Sequence, residues 1–242
     1  MQHSFWEVGS HLVGLKYIFY SLINVGKIKS QKYAATVIFS PRELICIFSH
    51  RLPFAMLWTV HAGEYDLMTN EGHEQRIKVR RIYRHSRYNR DTHDNDIALL
   101  HLQEPAILSD YIRPVCLPSQ GDQIVPGKKC SVAGWGARKF LGQPTAPLLQ
   151  VRPELRTKSE CNQTTAFEGL ITDNMLCAGG QRVDTCQGDG GSPLTCSFGN
   201  DHRQVVTGLT SWGNGCGFPG TFGVYTDLLQ YLPWIAGIQE RA

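Results

Sequence analysis

Short strand-like runs alternate with clusters of turn residues along the chain from Trp58 onward. Runs of this length, bounded by Gly, Pro, Asn, Asp and Ser, are typical of β-strands. The predicted strands are Trp58–Gly63, Gln75–Tyr83, Ile97–Leu102, Cys130–Gly134, Pro193–Ser197, Val205–Trp212 and Gly223–Thr226. Many short strands at regular spacing predict a β-barrel architecture.

One helix is predicted at the end of the chain. Its apolar residues follow a spacing close to that of an α-helix: Leu228, Leu229, Leu232, Ile235 and Ile238. Pro233 would lie in the first turn, where a helix tolerates the missing N–H.

Residues 1–57 have a different character. They contain apolar runs at Tyr33–Ser40 and Leu44–Ser49, but no motif to which chemistry can be attached. The apolar stretch Leu12–Val25 is interrupted by Lys16 and is too short and too polar to span a bilayer. It also makes a poor signal peptide.

Length and charge limit the class of protein. A chain of 242 residues is long enough for one large domain, and 24 glycines with 12 prolines suit a turn-rich β protein. A formal net charge of +3 is too small to predict nucleic acid or a membrane as the main partner. The segment from Arg76 to Arg90 holds seven Lys or Arg residues. Because Ile77, Val79 and Ile82 interleave with them, we interpret it as the solvent face of a strand, the alternative being an anion-binding exosite.

Eight cysteines without paired C-x-x-C spacing argue against a zinc site, and no metal or other cofactor is predicted. An even number in a Gly-rich β chain favours disulfides, and therefore an oxidising, extracellular environment.

Five segments carry a resemblance to a known family. They are Asp94–Leu100, Cys130–Gly136, Cys186–Asp189, Ser211–Gly213 and Gly223–Thr226. In this order and spacing, they resemble the chymotrypsin-like serine proteases over roughly residues 58–238. The resemblance implies a trypsin-like, all-β fold of two antiparallel β-barrels with an active site in the cleft between them. We therefore predict a protease-like domain at 58–242.

The atypical segment 1–57 stands where the family has the first strands of barrel one and the histidine loop. Either these residues form substitute strands, or the first barrel is incomplete or altered. The abrupt loss of resemblance at Trp58 leads to the hypothesis that the segment does not belong to the fold.

The resemblance also implies three disulfides: Cys130 with Cys196, Cys161 with Cys177, and Cys186 with Cys216. Each would stabilise the fold by roughly 2–4 kcal/mol. Cys116 matches a family position that commonly bonds to an upstream segment, and a Cys46–Cys116 bond is left open.

Peptide hydrolysis on this scaffold needs a serine, a histidine base and a buried carboxylate. Asp96 occupies the family's acid position. The family motif Gly-Asp-Ser-Gly-Gly-Pro is replaced here by Gly-Asp-Gly-Gly-Ser-Pro over residues 188–193, in a loop of family length, so Gly190 takes the nucleophile position. Ser192, two residues on, is displaced by up to roughly 6–7 Å, whereas a nucleophile–base pair tolerates about 2.6–3.2 Å.

The base is not evident, because the family segment Thr-Ala-Ala-His-Cys is absent. His50 lies about where spacing would place it, although its neighbours do not match and it could be an ordinary loop histidine. His61 matches a later strand and is interpreted as a surface residue.

The oxyanion hole would use the backbone N–H groups of Gly188 and Gly190. Its formation requires the Asp189 carboxylate inside the protein, paired with a new N-terminal amine. Since the chain has no matching activation tetrapeptide, the loop is expected to stay zymogen-like, because an unpaired buried charge costs several kcal/mol.

The specificity pocket, by contrast, is retained in the sequence. Asp184 stands where the trypsin branch places the acid that pairs with Arg or Lys. The pocket walls are predicted from Ser211, Trp212, Gly213 and Gly223.

Three functions follow as alternatives. The first is a non-catalytic homologue that binds a protein or peptide partner through a basic side chain. The second is an active endopeptidase cleaving after Arg or Lys, which requires Ser192 to act. The third is a non-functional fragment. The sequence does not set the oligomeric state or the partner's identity.

Overall fold

The structure is a computed structural model that describes residues 54–180, 183–198 and 203–241, together with the backbone of 22–27, 32–40 and 42–46. Within these residues it contains thirteen β-strands and two α-helices. The strands form two antiparallel sheets, one of which closes into a barrel.

The barrel has six strands. They are β1 (Leu22–Lys27), β2 (Lys32–Ser40), β3 (Glu43–Cys46), β4 (Trp58–Ala62), β5 (Gln75–Arg84) and β6 (Ala98–Leu102). They pair in the order β1-β2-β3-β6-β5-β4, and β1 closes the ring on β4. Its core is formed by alternating inward side chains, among them Val60, Ile77, Val79, Leu100 and Leu102.

The N-terminal segment therefore contributes three strands to this barrel. Of the two alternatives for residues 1–57, the described backbone contains the substitute strands, which close the barrel. The physical reason is pairing: β3 covers one edge of β6, and β1 covers one edge of β4, which would otherwise expose unpaired backbone groups. The predicted boundary between residues 57 and 58 stays a prediction.

The second sheet has seven strands, in the order β8-β7-β11-β12-β13-β10-β9. They are β7 (Ser131–Gly134), β8 (Leu149–Val151), β9 (Leu155–Arg156), β10 (Met175–Ala178), β11 (Pro193–Phe198), β12 (Arg203–Gly213) and β13 (Gly223–Asp227). A short helix, α1 (Lys158–Asn162), precedes β10. Its first turn has a capping box, in which the side chains of Thr157 and Glu160 each accept the other residue's backbone N–H.

The C-terminal helix α2 (Leu232–Gln239) follows a 3₁₀ turn at Leu228–Tyr231, with a proline in its first turn as predicted. It joins the two sheets. Ile235 and Ile238 pack in one cluster with Leu99 of β6 and with Val206 and Leu209 of β12. Burial of these apolar side chains fixes the two sheets against each other.

All three disulfides implied by the resemblance are present: Cys130–Cys196, Cys161–Cys177 and Cys186–Cys216. Cys116 is exposed and is free among the described cysteines. The side chain of Cys46 lies outside the described residues, so a Cys46–Cys116 bond stays open.

The seven strands predicted from the sequence are confirmed, with ends that differ by no more than two residues. The strands β8, β9 and β10 were not predicted. They have three, two and four residues, which is too short for a side-chain pattern to be recognised.

Candidate active site

Asp96 lies just before β6, at the contact between the two sheets. Its side chain is almost fully buried, and Ser211 Oγ on β12 donates to its Oδ2 at 2.7 Å. Thr226 on β13 donates to the Asp96 backbone carbonyl at 2.7 Å. Two strands of the second sheet thus hold the predicted triad acid, and burial shields its carboxylate from water.

The neighbouring loop reinforces this placement. Asp94 accepts hydrogen bonds from Thr172 Oγ1 at 2.7 Å and from Asn174 Nδ2 at 3.0 Å, both in the second half of the chain. Asn95, between the two aspartates, takes a positive φ of 56° and its amide donates to Asp94. The turn that carries Asp96 is therefore hydrogen-bonded to Thr172 and Asn174, which lie just before β10 of the second sheet. Neither of these two residues belongs to the segment Asp94–Leu100.

The segment 186–193, named here the nucleophile loop, approaches Asp96 through β12. Gly191 donates its backbone N–H to Thr210 at 2.7 Å, and Thr210 donates to Ser192 at 2.9 Å. Thr210 is the residue before Ser211, which bonds to Asp96. Gly190 precedes this paired segment by one residue, and it carries no side-chain oxygen.

Ser192 points away from this position. It is 0% exposed, and its Oγ has no hydrogen-bond partner among the described residues. A Cβ placed on Gly134 of β7 would lie 2.8 Å from that Oγ, which locates the hydroxyl against the strand behind the loop. The only serine of the loop is thus enclosed in the second sheet, where no substrate can reach it without rearrangement.

The carboxylate of Asp189 lies inside the protein, contrary to the expectation that it would stay out for want of a cation. It is 1% exposed and accepts backbone N–H groups from Gly136 and Cys186, each at 2.9 Å. Burial raises its pKa to about 6, and these two hydrogen bonds oppose that rise. The two N–H donors therefore offset part of the free-energy cost of removing the Asp189 carboxylate from water. In an ion pair, an amine would offset that cost.

The predicted oxyanion donors lie on either side of Asp189. Gly188 takes a φ of +98°, a conformation that a side chain would strain. The N–H groups of Gly188 and Gly190 make no hydrogen bond within the described part of the chain. Their role as an oxyanion hole stays a prediction.

The predicted specificity residues come together on two paired strands. Gly213 of β12 pairs with Gly223 of β13, and Trp212 pairs with Val224. The Asp184 carboxylate lies behind Gly223: a Cβ there would meet its Oδ1 at 2.8 Å. Glycine at this position therefore lets the carboxylate approach the backbone of β13 closely.

Asp184 itself is 7% exposed and accepts N–H groups from Thr185 at 2.8 Å and Gly217 at 2.9 Å. Burial raises its pKa to about 7. Among the described residues none forms a salt bridge with it. A buried carboxylate without a cation gains most from a ligand that supplies one.

The predicted residues of the pocket wall make different contacts. Trp212 is half-buried, packs edge-on against Phe167 and is stacked with His93 at 5.8 Å between ring centroids. Ser211 directs its hydroxyl to Asp96, and its predicted contact with substrate stays a prediction.

No base can be assigned. His50 lies outside the described residues. His61 lies on β4, two strands from β6 in the barrel, and its Nδ1 is 3.7 Å from Glu64. It is partly exposed, consistent with a residue of the barrel surface.

Sequence reasoning missed a pair of supporting residues. A side chain at Gly134 or Gly136 would overlap the carboxylate of Asp189. Both glycines belong to the segment Cys130–Gly136 that carried the resemblance, so the signal was present, but its meaning depends on a contact across the fold.

Three features accompany the fold: an aspartate buried between two antiparallel sheets, a glycine-rich loop bonded to β12, and an acid behind the paired glycines of β12 and β13. Together with the fold, they are typical of the serine endopeptidase domains. The comparisons with known proteins agree. The family model for trypsin matches residues 48–235. The chain belongs to the trypsin family.

Curated relatives support this assignment. Transmembrane protease serine 7 of Mus musculus is 38% identical over 236 residues, which cover 95% of this chain and 26% of that protein. Vitamin K-dependent protein C of Oryctolagus cuniculus is 39% identical over 194 residues, covering 75% of this chain and 42% of that protein. Transmembrane protease serine 5 of Homo sapiens is 37% identical over 206 residues, covering 82% and 44%. The chain thus spans about a quarter of the length of the first of these relatives.

Three disulfides fit an oxidising, extracellular environment. A search of the described residues for a helix both long and apolar enough to cross a bilayer found none.

Proposed function

We propose that this trypsin-family domain binds an Arg or Lys side chain of a protein or peptide partner outside the cell and does not cleave it. The observation that carries the proposal is the burial of the Ser192 hydroxyl in the nucleophile loop, in which we assign Gly190 to the nucleophile position. Loss of the nucleophile lowers turnover by about 10⁶-fold in serine proteases. Binding of an Arg or Lys side chain does not require a nucleophile.

The pocket supports the binding half of the proposal. Asp184 is a buried carboxylate whose hydrogen bonds come from backbone N–H groups, and glycines on β12 and β13 leave its approach open. A guanidinium or ammonium entering this space would form a charge-assisted, desolvated pair, which is among the stronger contacts a binding site can make.

An active endopeptidase is the second candidate. Two observations favour it: Asp96 keeps a hydrogen-bonded position between the sheets, and the curated relatives are named as proteases. It requires the nucleophile loop to refold so that Ser192 leaves its enclosed position, since its Oγ faces β7 in the structure.

Two measurements on the same refolded protein separate the candidates. Benzamidine, a small amidine cation, is titrated by calorimetry, and a fluorophosphonate probe tests for a reactive serine. We expect benzamidine binding without labelling. Labelling that disappears in Ser192→Ala would establish the active enzyme and overturn the proposal.

The Gly190→Ser variant is the matched control. Its loop carries two serines, and only one of them occupies the nucleophile position. Absence of benzamidine binding in the native chain, with thermal unfolding still cooperative, would contradict the pocket half of the proposal on its own.

A further inference from the structure

A row of cations on the barrel is not used by the pocket or the nucleophile loop. We name as the basic stripe the seven residues Arg76, Lys78, Arg80, Arg81, Arg84, Arg87 and Arg90. All seven are exposed, and none forms an ion pair among the described residues. No Asp or Glu occurs between Gln75 and Arg90.

Five of these charges lie on β5 (Gln75–Arg84), and the strand geometry places the first three in a line. Along β5, Arg76, Lys78 and Arg80 are exposed and alternate with the buried Ile77 and Val79. Side chains two residues apart on a strand lie about 6–7 Å apart on the same face. The first three cations therefore form an evenly spaced row on the outside of the barrel.

An irregularity in the strand extends the row. The register of β5 against β6 shifts between Val79 and Arg81, so Arg80 and Arg81 are both exposed. Arg84 ends the strand, and the span from Arg76 to Arg84 is roughly 26 Å at about 3.3 Å per residue.

The strands beside β5 supply no compensating acid. Neither β4 nor β6 contains an Asp or Glu. Thr59 lies opposite Lys78, and His61 lies opposite Arg76. Since the whole chain has a net charge of only +3, the rest of it is net negative, and the positive charge is concentrated on this face. A strand face with a purely structural role could carry neutral polar residues, which do not repel one another as these cations do.

We propose that the basic stripe binds a sulfated polysaccharide. Arginine, which supplies six of the seven cations, presents a planar fork of donors that matches oxyanions such as sulfate. The apolar residues that interleave with the first three cations are buried, so this face offers charge without the apolar anchors on which protein partners usually depend. A linear sulfated chain supplies repeated charge and needs no such anchor.

The test is binding of heparin fragments to the intact chain over a series of NaCl concentrations. We expect affinity to fall steeply as salt rises, because counterions are displaced on binding. The same fragments after chemical desulfation should bind at least about tenfold more weakly.

The variant Arg76→Gln, Lys78→Gln, Arg80→Gln should weaken heparin binding roughly 50-fold at low salt and reduce the salt slope by about 2–3. The control variant Lys129→Gln, Lys139→Gln, Arg152→Gln removes the same charge from exposed positions elsewhere. It should change affinity by less than about threefold.

Three outcomes would overturn the proposal. Equal losses in the two variants would mean that only net charge matters. Equal binding of desulfated fragments would exclude sulfate recognition, and tighter binding of a polyglutamate peptide than of heparin would assign the stripe to an acidic protein. Circular dichroism and thermal unfolding of both variants distinguish lost binding from lost folding.

Discussion

The nucleophile loop and the Asp184 pocket lie side by side in the second sheet, joined by the Cys186–Cys216 disulfide, yet they depart from the trypsin family to different degrees. In the proposed assignment, the loop lacks the oxygen expected at Gly190, whereas the pocket keeps its acid and its glycine walls. Hydrolysis on this scaffold requires, among other groups, a nucleophilic oxygen at one position. Binding depends on a charge and an open space, which the exchange at Gly190 does not touch.

The buried acids of the two regions also have different surroundings. Asp189 is enclosed by Gly136 and the loop itself, so its carboxylate serves to hold the loop. Asp184 faces the space left by Gly223. Burial raises the pKa of both groups, to about 6 and about 7, but only Asp184 can be relieved by an incoming cation.

The largest expected effect is at the pocket. Asp184→Asn keeps the shape but removes the charge, and should weaken benzamidine binding on the order of 10²-fold. Calorimetry on both proteins measures it. Asp173→Asn, at a fully exposed position, is the control and should bind as the native chain does. Unchanged affinity in Asp184→Asn would remove the pocket from the comparison.

The loop's support is tested by Gly136→Ala. The added methyl group would overlap the carboxylate of Asp189, so the free energy of unfolding should fall by about 3 kcal/mol. Denaturant unfolding measures the change. Gly121→Ala is the control because a Cβ there meets nothing within 4 Å. Equal stabilities of these two variants would mean that the Asp189 enclosure does not hold the loop.

The pocket should also respond to pH. Burial holds the pKa of Asp184 at about 7, and a cationic ligand needs the ionised form. Affinity for benzamidine should therefore rise as pH increases through that value, by about tenfold between pH 6 and pH 8. Titrations in a set of buffers measure this, with Asp184→Asn giving a flat profile. A native profile that is equally flat would place the ligand elsewhere.

The smallest effect is expected for Ser192→Ala. Its hydroxyl is buried without a partner among the described residues, so removing it should leave stability unchanged or raise it by up to about 1 kcal/mol. Benzamidine affinity should not change. A loss of more than about 1 kcal/mol in thermal or denaturant unfolding would show that the hydroxyl has a structural partner.

Motif and spacing predicted the acid, the loop and the pocket, and their roles stay predictions. The predictions for Asp96, Asp184 and Gly190 were made from short segments whose order matched the family, and the three disulfides implied by that order are confirmed. The strands β1, β2 and β3 could not be placed in this way. Their sequences carry no family motif, and their position is set by the free edges of β4 and β6.

The sequence by itself determined which atoms are available: a glycine where a hydroxyl is expected, an acid for a basic partner, and seven cations in the segment from Arg76 to Arg90, which contains no Asp or Glu. Tertiary structure alone decided where they lie. It closed the barrel with the N-terminal strands, turned Ser211 towards Asp96, and buried Asp189 against Gly136 and Ser192 against β7. The reason is that composition is fixed residue by residue, whereas burial and hydrogen bonding depend on partners tens of residues away in the chain.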